Sequence, residues 1–207
     1  MGMTVSKSTK EKIFYASLDL FSQKGFSGVS IREITREVGI KESSLYNHFG
    51  SKDEILESIL SHFRVDFSKT LPPVEMLDEI LENRTVEDFL KAGHKNFKKY
   101  MEDDMGRKMW RILQVEQFRF PLAREIIVQD LFGKTIEFLE ICFTKLIALK
   151  KIRPLTPRML AIEYQYPVFS LLTEYNILKF DGKDTSDVES KLNQHISFFL
   201  EIISLEQ

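Results

Sequence analysis

Three polar side chains within a few residues of one another could form hydrogen bonds with a matching ligand: Ser43, Asn47 and His48. An asparagine amide carries a donor beside an acceptor, the arrangement that pairs with the N6 and N7 edge of adenine. Leu45 and Phe49 form an apolar pair at i and i+4, and a helix places Asn47 opposite them. The pattern predicts Asn47 as the main base reader, with Ser43 and His48 as secondary readers. The alternative for His48 is a surface position that reaches no base.

A helix-turn-helix is the element that would position this short helix. Ser30 and Glu33 have the Ser-x-x-Glu spacing of a capping box, and Gly39 follows where a left-handed C-cap is expected. A helix, a glycine turn and a short second helix form a motif whose second helix can enter the DNA major groove. The sequence therefore predicts DNA binding. The apolar face of the first helix consists of Ile31, Ile34 and Val38.

Two further capping boxes mark the starts of the helices on either side of the motif. The first of these helices is expected at about residues 8–24. The second is expected from residue 52 to the double proline at 72–73, because proline cannot continue a helix. The boxes are Ser8 with Glu11, and Ser51 with Glu54.

The whole chain is predicted to be all-α, with about nine helices and no convincing strand. Residues 1–52 would form a three-helix DNA-binding head, with the fourth helix at 52–71 as a connector. Residues 74–207 would form a larger helical domain. A chain of 207 residues is long enough to bury a sizeable core in such an arrangement.

Charge and position add candidate phosphate contacts to the base readers. Residues 1–52 carry eight Lys or Arg against five Asp or Glu, a balance of +3 in a chain whose net charge is −2. Lys52 begins the fourth helix, where its charge and the free backbone N–H groups could hold a phosphate. Ser30 could do the same at its own helix start, in addition to its capping role.

These residues resemble the TetR (tetracycline-repressor) family of one-component transcriptional regulators. The resemblance covers about residues 8–60, under a third of the chain, and the remainder matches only in being helical and of suitable length. It implies a dimeric regulator whose C-terminal part binds an inducer. The matching positions are Ile13, Ala16, Leu20-Phe21, Gly25-Phe26, Ser30 to Ile34, Val38 to Ile40, Ser44 to Phe49, and Ser51-Lys52.

The resemblance also assigns roles within the second helix of the motif. Ser44 and Tyr46 correspond to phosphate-binding hydroxyls of the family, although Tyr46 could instead act mainly in packing. The chain departs from the family at Lys41 and Glu42, where Ser and then Lys are usual. Glu42 could replace the missing cap through the helix dipole, or it could accept a hydrogen bond from cytosine N4.

The last two helices are the expected dimer surface. The final helix is apolar on more than one face, and such a helix needs burial on two sides, by its own domain and by a partner subunit. The resemblance implies the same homodimer. The residues predicted at the interface are Leu171, Tyr175, Val188, Leu192, Ile196, Phe199 and Ile203.

The aromatic-rich C-terminal part could enclose a small apolar or aromatic inducer. The predicted lining is His94, Trp110, Gln114, Glu140, Tyr164 and Gln165. A ligand-responsive repressor on a palindromic operator of double-stranded DNA is the main hypothesis. The alternative is a DNA-binding regulator without a small-molecule ligand, controlled by a protein partner or by its abundance.

Nothing in the sequence indicates an enzyme, a cofactor or a metal site. There is no phosphate-cradling glycine loop and no HExxH or CxxC motif, and the four histidines lack metal-ligand spacing. Cys142 is the only cysteine and lies in an apolar run, so we expect an inert buried thiol. With no signal peptide and no membrane segment, the expected location is the cytoplasm.

Overall fold

The computed structural model describes residues 7–205, and every regular element in that range is helical. The predicted all-α fold is confirmed. The described residues contain eleven α-helices rather than about nine, because Leu77–Asn83 forms a helix of its own and residues 121–148 are divided by a π-helical segment. The α-helices are α1 (Thr9–Lys24), α2 (Ile31–Val38), α3 (Glu42–Tyr46), α4 (Lys52–Ser68), α5 (Leu77–Asn83), α6 (Val86–Glu102), α7 (Asp104–Glu116), α8 (Pro121–Glu125), α9 (Thr135–Ala148), α10 (Pro157–Phe180) and α11 (Ser186–Ile203).

The chain folds into two compact units. Unit 1 combines the described residues up to Phe67 with Asp103–Ile127, and unit 2 combines Ser68–Glu102 with the described residues from Val128 onwards. These units differ from the expected division at the double proline, because α7 and α8 pack with the N-terminal helices. The functional division into a DNA-binding head and a regulatory domain stays a prediction.

In unit 1, α7 packs beside α1 and completes the core of the N-terminal helices. The Lys108 ammonium lies 2.6 Å from the Asp19 carboxylate, and the Arg111 guanidinium donates to the Ser22 carbonyl at 3.3 Å. The Trp110 ring is buried, with its centroid 6.1 Å from that of Phe63 on α4. Unit 1 therefore derives its core from two separate stretches of sequence.

In unit 2, α10 packs against both α9 and α11 around a continuous apolar core. Tyr164 of α10 lies in this core, with its ring centroid 5.2 Å from that of Phe199 on α11. The regular helix predicted from Pro121 to about residue 149 is wrong in its middle. Residues Ile126–Lys134 form a π-helical segment, whose wider turns bring the Thr135 hydroxyl within 3.4 Å of the Asp130 carbonyl, five residues earlier.

In the described part of the chain, no helix combines the length and the apolar character that crossing a bilayer would require. Cys142 is completely buried in the core of unit 2, and this burial raises the pKa of its thiol to about 12. The thiol is therefore held in its neutral, unreactive form, as its apolar surroundings predicted.

Candidate nucleic-acid interface

The first helix of the motif, α2, has a complete cap at each end. The Ser30 hydroxyl accepts from the Glu33 N–H at 3.2 Å, and the Glu33 carboxylate accepts from the Ser30 N–H at 2.9 Å. At the other end Gly39 adopts φ 75° and ψ 36°, and its N–H donates to the Thr35 carbonyl at 2.9 Å. That left-handed conformation favours glycine, which lacks a Cβ. Both predicted caps are confirmed.

The Glu33 carboxylate is the most strongly perturbed group of this helix. It is hydrogen bonded by the Ser30 N–H, by the Lys24 ammonium at 3.0 Å and by the Ser30 hydroxyl. These bonds favour the charged form and lower the pKa of Glu33 from 4.5 to about 2. Glu33 therefore stays ionised throughout the neutral range and also ties α2 to the end of α1.

The second helix, α3, is much less well capped. It spans only Glu42–Tyr46, and the side chain of its N-cap residue, Lys41, forms no capping hydrogen bond. Burial fixes the helix instead, because Leu45 is 0% and Phe49 2% exposed. The N–H groups of His48 and Phe49 both donate to the Leu45 carbonyl, at 2.9 and 3.0 Å, so the chain makes a further tight turn after the helix.

The predicted readers lie on the outer side of this helix and the turn that follows it. Ser43 and Asn47 are exposed, whereas His48 is half-buried. Asn47 is the C-cap residue of α3 and not an interior position, since the helix is shorter than the predicted one. The wheel is correct in placing Leu45 and Phe49 inward and Asn47 outward, and the base-reading roles stay predictions.

The two hydroxyls assigned to phosphate differ in accessibility. The Tyr46 side chain is 51% exposed, so its ring is not a core residue of this chain. Ser44 is half-buried on the same helix. Tyr46 is thus the more accessible of the two side chains, and both phosphate contacts stay predictions.

Glu42 forms an ion pair in place of a cap. Its carboxylate lies 3.5 Å from Nε of Arg32 on α2, and both side chains are well exposed. Exposed pairs of this kind contribute less than about 1 kcal/mol, so the contact links the two helices only weakly. The carboxylate is at the first position of α3, where the helix dipole favours it.

Lys52 and Ser30 use their polar groups within the protein. The Lys52 ammonium donates to the carbonyls of Phe26 and Val29, at 2.9 and 2.7 Å, and lies 4.2 Å from the centre of the Phe26 ring. The Ser30 hydroxyl donates to the Glu33 carboxylate at 3.0 Å while it accepts from the Glu33 N–H. Both side chains are thus engaged in holding the motif together, and their predicted phosphate contacts would compete with these bonds.

The six residues predicted to line an inducer pocket do not share one set of surroundings. Trp110 and Gln114 belong to unit 1, whereas the other four belong to unit 2. The Tyr164 hydroxyl donates to the Leu90 carbonyl at 3.3 Å, and burial raises its pKa. Glu140 pairs with Arg158 at 2.9 Å, and Gln165 is half-buried.

His94 and Gln114 each have a buried polar atom without a hydrogen-bond partner among the described residues, and His94 lies in unit 2. In His94 this atom is Nδ1. Burial, together with the charge of the nearby Lys98, lowers the pKa of His94 below 6.5. The ring is therefore neutral at neutral pH and retains an unused polar atom.

Most residues predicted at the dimer interface are buried within the chain itself. The inward stripe of α11 is at most 3% exposed and Tyr175 is 4% exposed, so little of their surface is left for a partner. Periodicity identified a buried face but did not show which body covers it. Leu171 is half-buried. The interface role stays a prediction, and the residues buried within the chain are Tyr175, Val188, Leu192, Ile196, Phe199 and Ile203.

One engaged residue of unit 1 was missed by the sequence analysis. Glu116 ends α7 and is 1% exposed, and its carboxylate accepts from the Phe26 N–H at 3.0 Å. A signal was present, because Glu116 follows Met109 and Leu113 at i+7 and i+3 on the apolar face of α7. A carboxylate at such a position is expected to have a buried partner.

The motif consists of the capped helix α2, the glycine turn at Gly39 and the short helix α3, which is anchored by the buried pair Leu45 and Phe49. This arrangement defines a helix-turn-helix protein. A family model described as "Bacterial regulatory proteins, tetR family" matches residues 13–59, the part that contains this motif. The N-terminal part of this chain is thus similar to the tetR family of bacterial regulatory proteins.

Curated relatives match mainly through the same N-terminal part. The chain is 41% identical over 64 residues to the probable HTH-type transcriptional regulator YttP of Bacillus subtilis strain 168, which is 31% of each chain. It is 39% identical over 62 residues to IcaR of Staphylococcus epidermidis, the HTH-type negative transcriptional regulator of the biofilm operon icaADBC, covering 28% of this chain and 33% of IcaR. The chain thus spans about a third of the length of these relatives.

Solved structures show that the likeness of fold extends over nearly the whole chain. A SmeT–triclosan complex superposes with a TM-score of 0.69 at 17% identity, covering 97% of this chain and 93% of the other. Salmonella enterica GusR gives a TM-score of 0.66 at 19% identity, covering 97% and 98%. At such low identity the likeness establishes the fold and not the ligand.

Proposed function

We propose that this protein is a dimeric repressor that binds a palindromic DNA operator through α3 and is released by a small apolar or aromatic inducer. The observation that carries the DNA-binding part is the geometry of α3. Leu45 and Phe49 bury one side of the short helix and its following turn, while Ser43, Tyr46 and Asn47 are exposed on the rest. Such a surface offers an amide for base edges and hydroxyls for phosphates.

The repressor and inducer parts have support from relatives. IcaR, which shares the N-terminal part, is by name a negative regulator, and SmeT, which shares the fold, was solved with triclosan bound. In this chain the unused Nδ1 atom of His94 is a candidate polar contact within unit 2. An inducer would act by binding the DNA-free state more tightly than the DNA-bound state.

The proposed dimer uses the exposed side of α10 and α11, in place of the buried stripe. Large apolar side chains remain accessible there, including Ile177 at 60%, Phe180 at 59% and Phe198 at 61%. Tyr166 and Ile202 are also exposed on these two helices, at 47% and 40%. An apolar surface on two adjacent helices is suited to a second copy of the same surface, which would build a four-helix interface. A two-fold dimer of this kind would place two α3 helices about 34–36 Å apart on DNA.

The first experiment is selection of bound duplexes from a random or genomic DNA pool. A palindromic consensus is expected for the wild type. Asn47→Ala should relax the base preference, because the amide would be lost. Tyr46→Phe removes only a hydroxyl and should weaken all duplexes about equally, by roughly 1 kcal/mol for one lost hydrogen bond. Equal binding and equal base preference in all three proteins would contradict the assignment of α3.

The dimer is tested by the mass of the protein in solution. The wild type should have twice the chain mass of 24.3 kDa, whereas Phe198→Glu should be monomeric, because it places a charge in an apolar interface. Phe118→Glu is a matched control, since Phe118 is 84% exposed in unit 1, outside the proposed surface. A Phe198→Glu variant that remains dimeric would rule out this interface.

Inducer release is tested on the selected duplex with triclosan as the first probe, followed by other planar aromatic compounds. A true inducer lowers the affinity of the protein for the operator. It also binds the free protein more tightly than the DNA-bound protein, and the two affinities change by the same factor. A compound that binds tightly but leaves operator affinity unchanged would not be an inducer. If no compound of this class changes operator affinity, the inducer part of the proposal fails.

A further inference from the structure

The loop between α1 and α2 is held by a buried carboxylate from far along the chain. Glu116, at the end of α7, is 1% exposed, and its Oε1 atom accepts the Phe26 N–H at 3.0 Å. A charged group is costly to bury unless hydrogen bonds compensate for the lost hydration. The burial of Glu116 therefore fixes the position of the backbone that it binds.

The same loop is held from a second direction by Lys52. Its ammonium donates hydrogen bonds to the carbonyls of Phe26 and Val29, at 2.9 and 2.7 Å. Both backbone groups of Phe26 are thus bound by charged side chains, the N–H by α7 and the carbonyl by α4. We call this set the Phe26 clamp: Glu116, Phe26, Val29 and Lys52.

The clamp lies directly before the DNA-binding motif. Gly25 precedes it with φ 72°, and Val29, buried to 2% exposure, is followed at once by Ser30, the N-cap of α2. A shift of the loop would therefore move the start of α2. The shift would pass to α3 through the tight turn at Gly39, because α2 and α3 are packed together.

Other side chains of α7 bind α1 rather than this loop. Lys108 pairs with Asp19, and the Arg111 guanidinium binds the Ser22 carbonyl. These two contacts hold α7 against the helix, whereas Glu116 binds the peptide that leads into α2. The effect of Glu116 on α2 can therefore be separated from the attachment of α7.

We propose that Glu116 is a positioning residue for DNA recognition. It touches no DNA, and through the Phe26 clamp it sets the orientation of α2 and α3 relative to the rest of unit 1. This inference rests on the proposed DNA-binding function. Its chemical requirement is a hydrogen-bond acceptor of the right length at position 116, and not a negative charge as such.

The test compares three variants on the duplex selected for the wild type. Glu116→Met keeps the length and removes the acceptor, and Glu116→Asp keeps the charge and shortens the side chain by one carbon. Both are expected to bind about tenfold more weakly, as for a buried donor left without its partner. Glu116→Gln retains an amide oxygen at the same reach and should bind within about threefold of the wild type.

A matched control and a DNA-free measurement separate positioning from general destabilisation. Glu125→Met applies the same substitution to an exposed carboxylate of unit 1, which pairs with Arg64 at 2.7 Å, and should leave DNA affinity unchanged. In hydrogen exchange, the Phe26 amide should be protected in the wild type and in Glu116→Gln. It should lose protection in Glu116→Met and Glu116→Asp, while the amide of Leu113 in α7 stays protected.

Several outcomes would overturn the proposal. Folded Glu116→Met or Glu116→Asp with wild-type affinity would show that the clamp does not position α3. If Glu116→Met fails to fold, Glu116→Asp alone decides. Wild-type protein that binds DNA while its Phe26 amide exchanges at the rate of an unfolded chain would refute the clamp and leave the proposed function intact. Wild-type protein without sequence-specific DNA binding would overturn both.

Discussion

The two helices of the DNA-binding motif are specified in different ways. Helix α2 carries a reciprocal capping box at Ser30 and Glu33 and a left-handed glycine at its end. Helix α3 has neither, and the burial of Leu45 and Phe49 is its main anchor. Local hydrogen bonds thus define the first helix of the motif, while packing defines the second. The outer side chains of α3 are left free for contacts with another molecule.

This difference has a consequence for where the motif is vulnerable. A helix of five residues is too short to be stable by propensity alone, because helix nucleation is unfavourable. Helix α3 should therefore depend on its core anchor more than on any surface residue. Helix α2 should depend measurably on its caps.

The largest expected effect is at the anchor of α3. Leu45→Ala should lower the free energy of unfolding by about 2–5 kcal/mol, because Leu45 is completely buried and its loss leaves a cavity. Amide hydrogen exchange should accelerate first at His48 and Phe49, whose N–H groups bind the Leu45 carbonyl. Tyr46→Ala is the exposed control on the same helix and should change stability by much less. Equal destabilisation by both variants would contradict the packing account of α3.

A smaller loss is expected at the cap of α2. Ser30→Ala should cost about 1–2 kcal/mol, since the hydroxyl both accepts from the Glu33 N–H and donates to the Glu33 carboxylate. Urea unfolding measures the difference. Ser43→Ala, an exposed serine within α3, is the control and should be close to neutral. A neutral Ser30→Ala would mean that the capping box does not define α2.

A third substitution gives α3 the N-cap that it lacks. Lys41→Ser should stabilise the protein by about 0.5–1 kcal/mol, because a serine at the N-cap can accept from the backbone at the start of α3. Lys41→Ala removes the same lysine without adding a cap and serves as the control. If both substitutions have the same effect, the missing cap is not what limits α3.

The smallest expected effect is the pH dependence that the Glu33 carboxylate of α2 contributes to the stability of the protein. The pKa of Glu33 is about 2, below its ordinary 4.5, so ionised Glu33 stabilises the folded chain above pH 4.5. This contribution is lost as the pH falls from about 4.5 to about 2. The stability advantage of the wild type over Glu33→Gln should shrink across that range and vanish at its lower end. A carboxyl titration of Glu33 near 4.5, followed by NMR, would refute the bonding described here.

Local signals account for what the sequence predicted correctly. The N-cap of α2, the turn at Gly39 and the inward pair Leu45 and Phe49 each depend on residues three or four positions apart. Their physical causes are contained in short stretches of chain. The helices and the turn of the motif could therefore be predicted from the sequence, apart from the exact length of α3.

Distant contacts account for what the sequence did not show. Lys52 reaches carbonyls 26 and 23 residues earlier, and Glu116 reaches an amide 90 residues earlier. Its charge and its place at the start of α4 predicted Lys52 as a phosphate contact, whereas the fold gives its ammonium two internal acceptors. The apolar residues of α11 occupy more than one face of the helix. Periodicity did not distinguish the face that fills the core from the face that stays exposed.

The return of the chain to unit 1 limits how its parts can be exchanged. A fragment that stops at the double proline would contain the whole motif but lack Asp103–Ile127, which supplies Trp110 to the core and Glu116 to the loop. A chimaera that grafts only the first seventy residues onto another helix-turn-helix protein would receive a foreign α7. Transplanting the helix-turn-helix motif of this protein in its native setting therefore requires two segments, because α7 binds the loop that precedes the motif.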